Sequence, residues 1–204
     1  MKKYIAFFLF LIFFSYGAFS QEFKAGILSG VLATQVDGDN MSGFYKAGYS
    51  GGIFVYRDFA KLSRFQAEIL YSMKGSRTSP KNTSPDFWQV STSHIDISVN
   101  YIYKLFETLH FRIGLTPSVL LTSKEVSPTG IEQNPNEAPA FRKFDLVGLI
   151  GTTYYFSDKF SLTWSYNYSM YSIRSGDAEF YDLSFKEQNN QRHNYMAFML
   201  GYRF

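Results

Sequence analysis

Residues 194–204 read NYMAFMLGYRF. Met196, Phe198, Leu200, Tyr202 and Phe204 fall on one side of a period-two ribbon; His193, Tyr195, Ala197, Met199, Gly201 and Arg203 fall on the other. Strand geometry separates these two sets, whereas a helical period would mix them. One face is wholly apolar and ends on an aromatic ring. A soluble protein gains nothing from a loose apolar end in water. The pattern instead suits a barrel strand in lipid, with Phe204 in an interfacial aromatic girdle.

The same alternation recurs upstream. In 160–171, Phe160, Leu162, Trp164, Tyr166, Tyr168 and Met170 oppose Ser161, Thr163, Ser165, Asn167 and Ser169. In 90–103, Ile95, Ile97, Val99, Tyr101 and Tyr103 oppose His94, Asp96, Ser98, Asn100 and Ile102. In 65–74, Phe65, Ala67, Ile69, Tyr71 and Met73 oppose Gln66, Glu68, Leu70, Ser72 and Lys74. Stretches 110–121 and 142–156 follow suit, the second less cleanly. Stretches 23–34 and 44–56 are glycine-rich strands whose faces the pattern leaves open. With 192–204 the count is about eight, the smallest bacterial barrel.

Connections alternate in length. Those at 57–62, 105–109 and 157–159 are short. The one at 37–43 is of medium length, and those at 77–89, 123–140 and 172–191 are long and rich in proline or polar residues. An outer-membrane barrel has this asymmetry, with short turns in the periplasm and long loops outside. Both termini then lie in the periplasm, and the strand number is even. The expected fold is therefore all-β: a closed antiparallel up-and-down transmembrane β-barrel of about eight strands.

Composition and the N-terminus agree. Lys2 and Lys3 precede an apolar run at 4–14 and a small-residue stretch containing Ala18-Phe19-Ser20. This reads as a secretory signal peptide over 1–20, too short to span a membrane, followed by one barrel domain over 21–204. Aromatic residues make up 20% of the chain, which suits two aromatic belts. Lys and Arg number 20 against 17 Asp and Glu; removing Lys2 and Lys3 leaves 18 against 17, so nucleic acid is not an expected partner. The chain has no Cys, which excludes a lipid-anchored terminus, disulfides and thiolate chemistry.

Alternation alone would also fit a soluble lipocalin-like barrel with its apolar face inward. The inside-out reading rests on Tyr and Trp collecting toward strand ends on the apolar face, and on mid-strand ionisable groups opposite them. Those groups are Glu68, Asp96, Arg112, Asp145 and Arg203. Buried charges need partners, so a lumenal ion-pair network is expected, with Glu68 meeting Arg112 or a neighbouring Lys143. It would close a small barrel to bulk flow; a narrow small-solute channel is the alternative. An outer-membrane hydrolase is a third reading, since His94 and Asp96 share a face with Ser72 and Ser98 nearby. No nucleophile–base–orienter spacing stands out, and His110 and His193 read as single residues near opposite rims. No catalytic site, metal or cofactor is expected; Phe87, Trp88, Phe180 and Tyr181 are candidate loop aromatics for partner contact, with Phe87 and Trp88 reading equally well as part of the outer aromatic belt.

Several segments resemble the PorT-like outer-membrane β-barrel family of Gram-negative bacteria. AEILYSMKGS at 67–76 resembles its Glu-x-x-Tyr-Ser-x-x-Gly segment through Glu68, Tyr71, Ser72 and Gly75. HIDISVNYIYKL at 94–105 resembles the following strand without a proline common there, and Gly114 with Pro117 resembles a Gly-x-x-Pro strand. The ending through Phe198, Leu200, Tyr202 and Phe204 also resembles the C-terminal signal read by the barrel-assembly machinery. The resemblance implies a small barrel multi-pass in the outer membrane, with lipid and that machinery as partners. One member of the family takes part in protein secretion to the cell surface. A non-enzymatic role follows as the expectation, structural or as a component of a surface or secretion assembly reached through the long loops.

Overall fold

The computed structural model describes residues 22–39, 41, 43–79, 88–126, 132–133, 141–174 and 190–204. The signal-peptide segment and the loop aromatics Phe87, Phe180 and Tyr181 lie outside them. The elements are β1 (Lys24–Asp37), β2 (Lys46–Ala60), β3 (Ser63–Arg77), β4 (Gln89–Lys104), β5 (Leu109–Val126), β6 (Glu132–Gln133), β7 (Phe144–Tyr155), β8 (Phe160–Ser169) and β9 (Arg192–Arg203). Two-residue β6 extends β5 beyond the barrel. The other eight form one closed antiparallel sheet in chain order, sealed where β9 pairs with β1, as in Leu28 opposite Gly201 and Thr34 opposite Tyr195. Closure removes every unpaired edge, which hydrocarbon would otherwise penalise. The barrel strands run from 10 to 18 residues, enough to cross a bilayer when tilted.

The faces divide as lipid requires. Ile27, Ile53, Ile69 and Ile97 lie opposite one another on consecutive strands and all point outward. Aromatic rings border this apolar band. At the short-turn end Phe59 stacks on Phe65 at 4.7 Å, and Phe160 meets Tyr202 at 5.1 Å. At the other end Tyr49 meets Tyr71 at 5.8 Å. The C-terminal strand keeps its expected division, with Phe198 and Leu200 outward and Tyr195, Ala197 and Met199 inward. The soluble-barrel alternative fails here, because the exposed apolar face is the outside.

The two glycine-rich strands resolve into an unexpected lumen. β1 and β2 turn Leu28, Leu32, Phe54 and Tyr56 inward, where they join Leu70, Val147, Tyr195, Ala197 and Met199 in a buried apolar cluster. Gly26 and Gly30 face the same way. A Cβ on Gly26 would sit 2.4 Å from the Phe54 ring, and one on Gly30 would sit 2.9 Å from Met199 Sδ. The β9 backbone is closer still, with the Tyr202 carbonyl oxygen 2.2 Å from the first and the Phe198 carbonyl oxygen 2.0 Å from the second, so glycine clears both backbone and side chain there.

Candidate functional site

The lumen is filled in tiers by side chains that reach across it. Nearest the short-turn end of this set, Arg112 on β5 donates from Nη2 to Glu68 Oε1 on β3 at 2.6 Å, and Gln66 Nε2 donates to the same oxygen at 2.7 Å. Inward-pointing alternate residues of β3 continue the ladder through Leu70 and Ser72 to Lys74. Lys74 Nζ, fully buried, stands 2.9 Å from Asp96 Oδ2 and 3.0 Å from its Oδ1, and lies 4.8 Å from the Tyr195 ring centre. Between these tiers is a cavity of about 40 Å³, room for a few waters.

At the Lys74 level a second network crosses from β4 to β9. Ser118 Oγ donates to Asp96 and lies 3.1 Å from His94 Nδ1, and the His94 ring meets the His193 ring edge-on at 5.1 Å. His193 Nδ1 lies 3.2 Å from Asp145 Oδ2, which also accepts from Ser169 Oγ at 2.6 Å. Toward the long loops, Arg174 donates from Nη2 to Glu125 and from Nε to Gln191 Oε1 at 2.7 Å, with its guanidinium 4.0 Å from the Phe141 ring centre.

Several placements differ from the sequence reading. Lys143 is exposed at the bend before β7 and meets no lumenal carboxylate, so Glu68 pairs with Arg112 alone of the two candidates. The inward parity of β7 begins only at Asp145, inside the strand. Arg203 is half-buried at the short-turn mouth, outside the network. His193 is not a solitary rim residue but packs beside His94. Ser72 bonds Ser50 at 2.8 Å and Ser98 bonds Thr116 at 2.6 Å, so neither serves His94. Lys74, Ser118, Glu125, Arg174 and Gln191 were not singled out, although the inward alternation of β3 does mark Lys74.

One cluster has the order of a catalytic triad. Thr92 Oγ1 lies 3.2 Å from His193 Nε2, and the other ring nitrogen faces Asp145. Hydroxyl, imidazole and carboxylate in this sequence would activate a nucleophile. Yet Thr92 and His193 are each only 1% exposed, and the mid-lumen cavity reaches neither. The hydroxyl is buried among the described residues, and the cluster cross-braces β4, β7 and β9. No group of three or more metal-ligating side chains occurs among the described residues.

At the long-loop end, Asp39 ties the β1–β2 connection to the barrel wall. It accepts from Ser76 Oγ and, at 2.9 Å, from the Met41 amide. Burial raises its pKa from 3.8 to about 6, with the Asp37 charge adding to the rise and the two hydrogen bonds opposing it. A carboxyl raised in this way favours the docked loop fully below its ordinary pKa, and that contribution is lost as pH climbs through about 6. Protection of the Met41 amide in hydrogen exchange, corrected for intrinsic rate, is therefore expected to fall between pH 5 and 7. Asp39→Asn should abolish the pH dependence; a wild-type profile that is flat or rising would contradict the assignment.

A closed sheet with a lipid-facing exterior and a charged, side-chain-filled interior defines a small outer-membrane β-barrel. The chain belongs to the outer-membrane protein β-barrel domain family, which matches residues 19–175. No curated protein matches its sequence. Among solved structures it resembles Ail, the attachment invasion locus protein of Yersinia pestis, in a complex with the heparin analogue sucrose octasulfate. That likeness has 14% identity and a TM-score of 0.53, covering 90% of this chain and 99% of that one. Neisserial surface protein A is similar at 14% identity and a TM-score of 0.49, over 89% and 97% of the two chains. These likenesses concern the fold; the family match places the protein among outer-membrane proteins.

Proposed function

We propose that this protein is a non-enzymatic, sealed barrel that serves as a structural element or anchor of a surface or protein-secretion assembly. The carrying observation is the set of three ion pairs stacked along the lumen: Glu68 with Arg112, Asp96 with Lys74, and Glu125 with Arg174. Lys74 with Asp96 joins adjacent strands, Glu68 with Arg112 reaches over β4, and Glu125 with Arg174 ties β5 to the β8–β9 connection, and small barrels fill with side chains in this manner. A sealed lumen leaves the loops as the working surface, since loops on a rigid scaffold commonly carry function. In this reading the connections at 77–89, 123–140 and 172–191 face outside and meet the partner, while both termini lie in the periplasm. Phe198, Leu200, Tyr202 and Phe204 present the aromatic edge that the barrel-assembly machinery reads. The segment around Glu68, Tyr71, Ser72 and Gly75 supports a closer kinship to the PorT-like family.

Reconstitution into planar bilayers tests the seal. The folded protein is expected to give no conductance steps above the lipid background. Regular, salt-dependent steps would overturn the sealed-barrel reading in favour of a small-solute channel.

A further inference from the structure

The short-turn end of the barrel opens into a cavity of about 740 Å³, at the opposite end from the long loops. Its volume falls in the range of small-molecule sites, and its wall mixes aromatic rings with charges. Most of those charges are accounted for internally. Arg64 holds Asp58 through Nε–Oδ1 at 2.6 Å and Nη2–Oδ2 at 3.2 Å, and donates from Nη1 to the Tyr155 hydroxyl at 3.1 Å. Lys104 holds Glu107 at 2.8 Å on the rim. Lys61 and Asp158 complete the charged lining with opposite signs.

One cation in the cavity wall is not accounted for. The Arg203 guanidinium lies 4.5 Å from the Tyr155 ring centre and 6.0 Å from that of Tyr56, and it has no carboxylate partner among the described residues. Its Nε is buried and without a hydrogen-bond partner. Native proteins rarely leave such atoms unsatisfied, and a guanidinium held between ring faces away from any carboxylate calls for an anion. A planar carboxylate matches the fork that guanidinium nitrogens present. The geometry points to a carboxylate-binding site in this vestibule, with Arg203 supplying the charge and donors, and Tyr155 the ring wall that holds it.

The group could belong to a free organic acid or end a short peptide; the chemistry recognised is the same. The test uses the full mature barrel in nanodiscs at low salt, where both ends are accessible. The Arg203 Nε–H resonance is followed while acetate, N-acetyl-alanyl-alanine or the C-terminal amide of that dipeptide is added. Saturable shifts with a carboxylate, absent with the amide, are the expected result. Dipeptide binding at least tenfold tighter than acetate would identify peptide termini as the source, and comparable binding would identify free acids. Arg203→Gln should weaken binding at least tenfold, provided the boiled and unboiled proteins still migrate differently on gels. Linear shifts without saturation, equal effects of acid and amide, or wild-type affinity in a folded Arg203→Gln barrel would overturn the assignment.

Discussion

Replacing Lys74 by Met is expected to destabilise the folded barrel by about 3–5 kcal/mol, the usual cost of orphaning one member of a buried ion pair. The ammonium is fully buried and touches both oxygens of Asp96. Without it, Asp96 keeps its bond from Ser118 but carries an uncompensated charge among Tyr195, His94 and the lumenal wall. The methionine fills most of the volume, so a cavity does not explain the loss. The double variant Lys74→Met/Asp96→Leu removes both charges and should recover most of the stability, since hydrophobic replacement of a buried pair is often nearly neutral. Reversible urea titrations in lipid vesicles measure both. A single-variant loss below about 1 kcal/mol, typical of solvent-screened pairs, would mean that water reaches this tier and that the lumen is not sealed there.

The second large effect lies on the other face. Ile69 is 52% exposed and sits between Ile53 and Ile97 on the neighbouring strands, inside the apolar band. Ile69→Arg should cost about 2–4 kcal/mol in a bilayer, the range for a cation near the midplane of a barrel's lipid face. In a water-facing strand the same substitution would fall within about 0.5 kcal/mol of neutral. The outcome therefore separates the two environments by magnitude. A near-neutral result in vesicles would place Ile69 outside the hydrocarbon.

The parts of this fold that were legible in the sequence are those where lumen and lipid demand different chemistry. β8 sets Ser161, Thr163, Ser165, Asn167 and Ser169 inside against Leu162 and Trp164 outside, so a period of two reads directly. β1 and β2 were opaque because both of their faces are apolar. Leu28, Leu32, Phe54 and Tyr56 pack inward while Ile27, Val31, Ile53 and Val55 meet lipid. Alternation carries no signal when the two solvents are both oily.

The lumenal network divides in the same physical way. Glu68 and Arg112 were legible as inward charges, and their contact spans only β4, a short reach across the sheet. The meeting of His94 with His193 depends on how the closed sheet staggers β4 against β9, which no local pattern encodes. Glu125 with Arg174 depends on where β5 and the β8–β9 connection carry their residues beyond the barrel wall. Lys143 misled because the odd-numbered inward parity of β7 stops one residue pair short of it, at a bend. Parity predicts a side chain's direction only while the strand continues.

The apolar, aromatic face of the barrel lies in lipid. Two tryptophans are present, Trp88 and Trp164, and Trp88→Phe leaves the outward ring of β8 as a single reporter. Its fluorescence would be measured in vesicles containing lipids brominated along their acyl chains, with aqueous iodide as the opposing quencher. Strong quenching by the brominated lipids and little by iodide is the result this structure requires. A Trp164 emission indifferent to brominated lipid and open to iodide would contradict it.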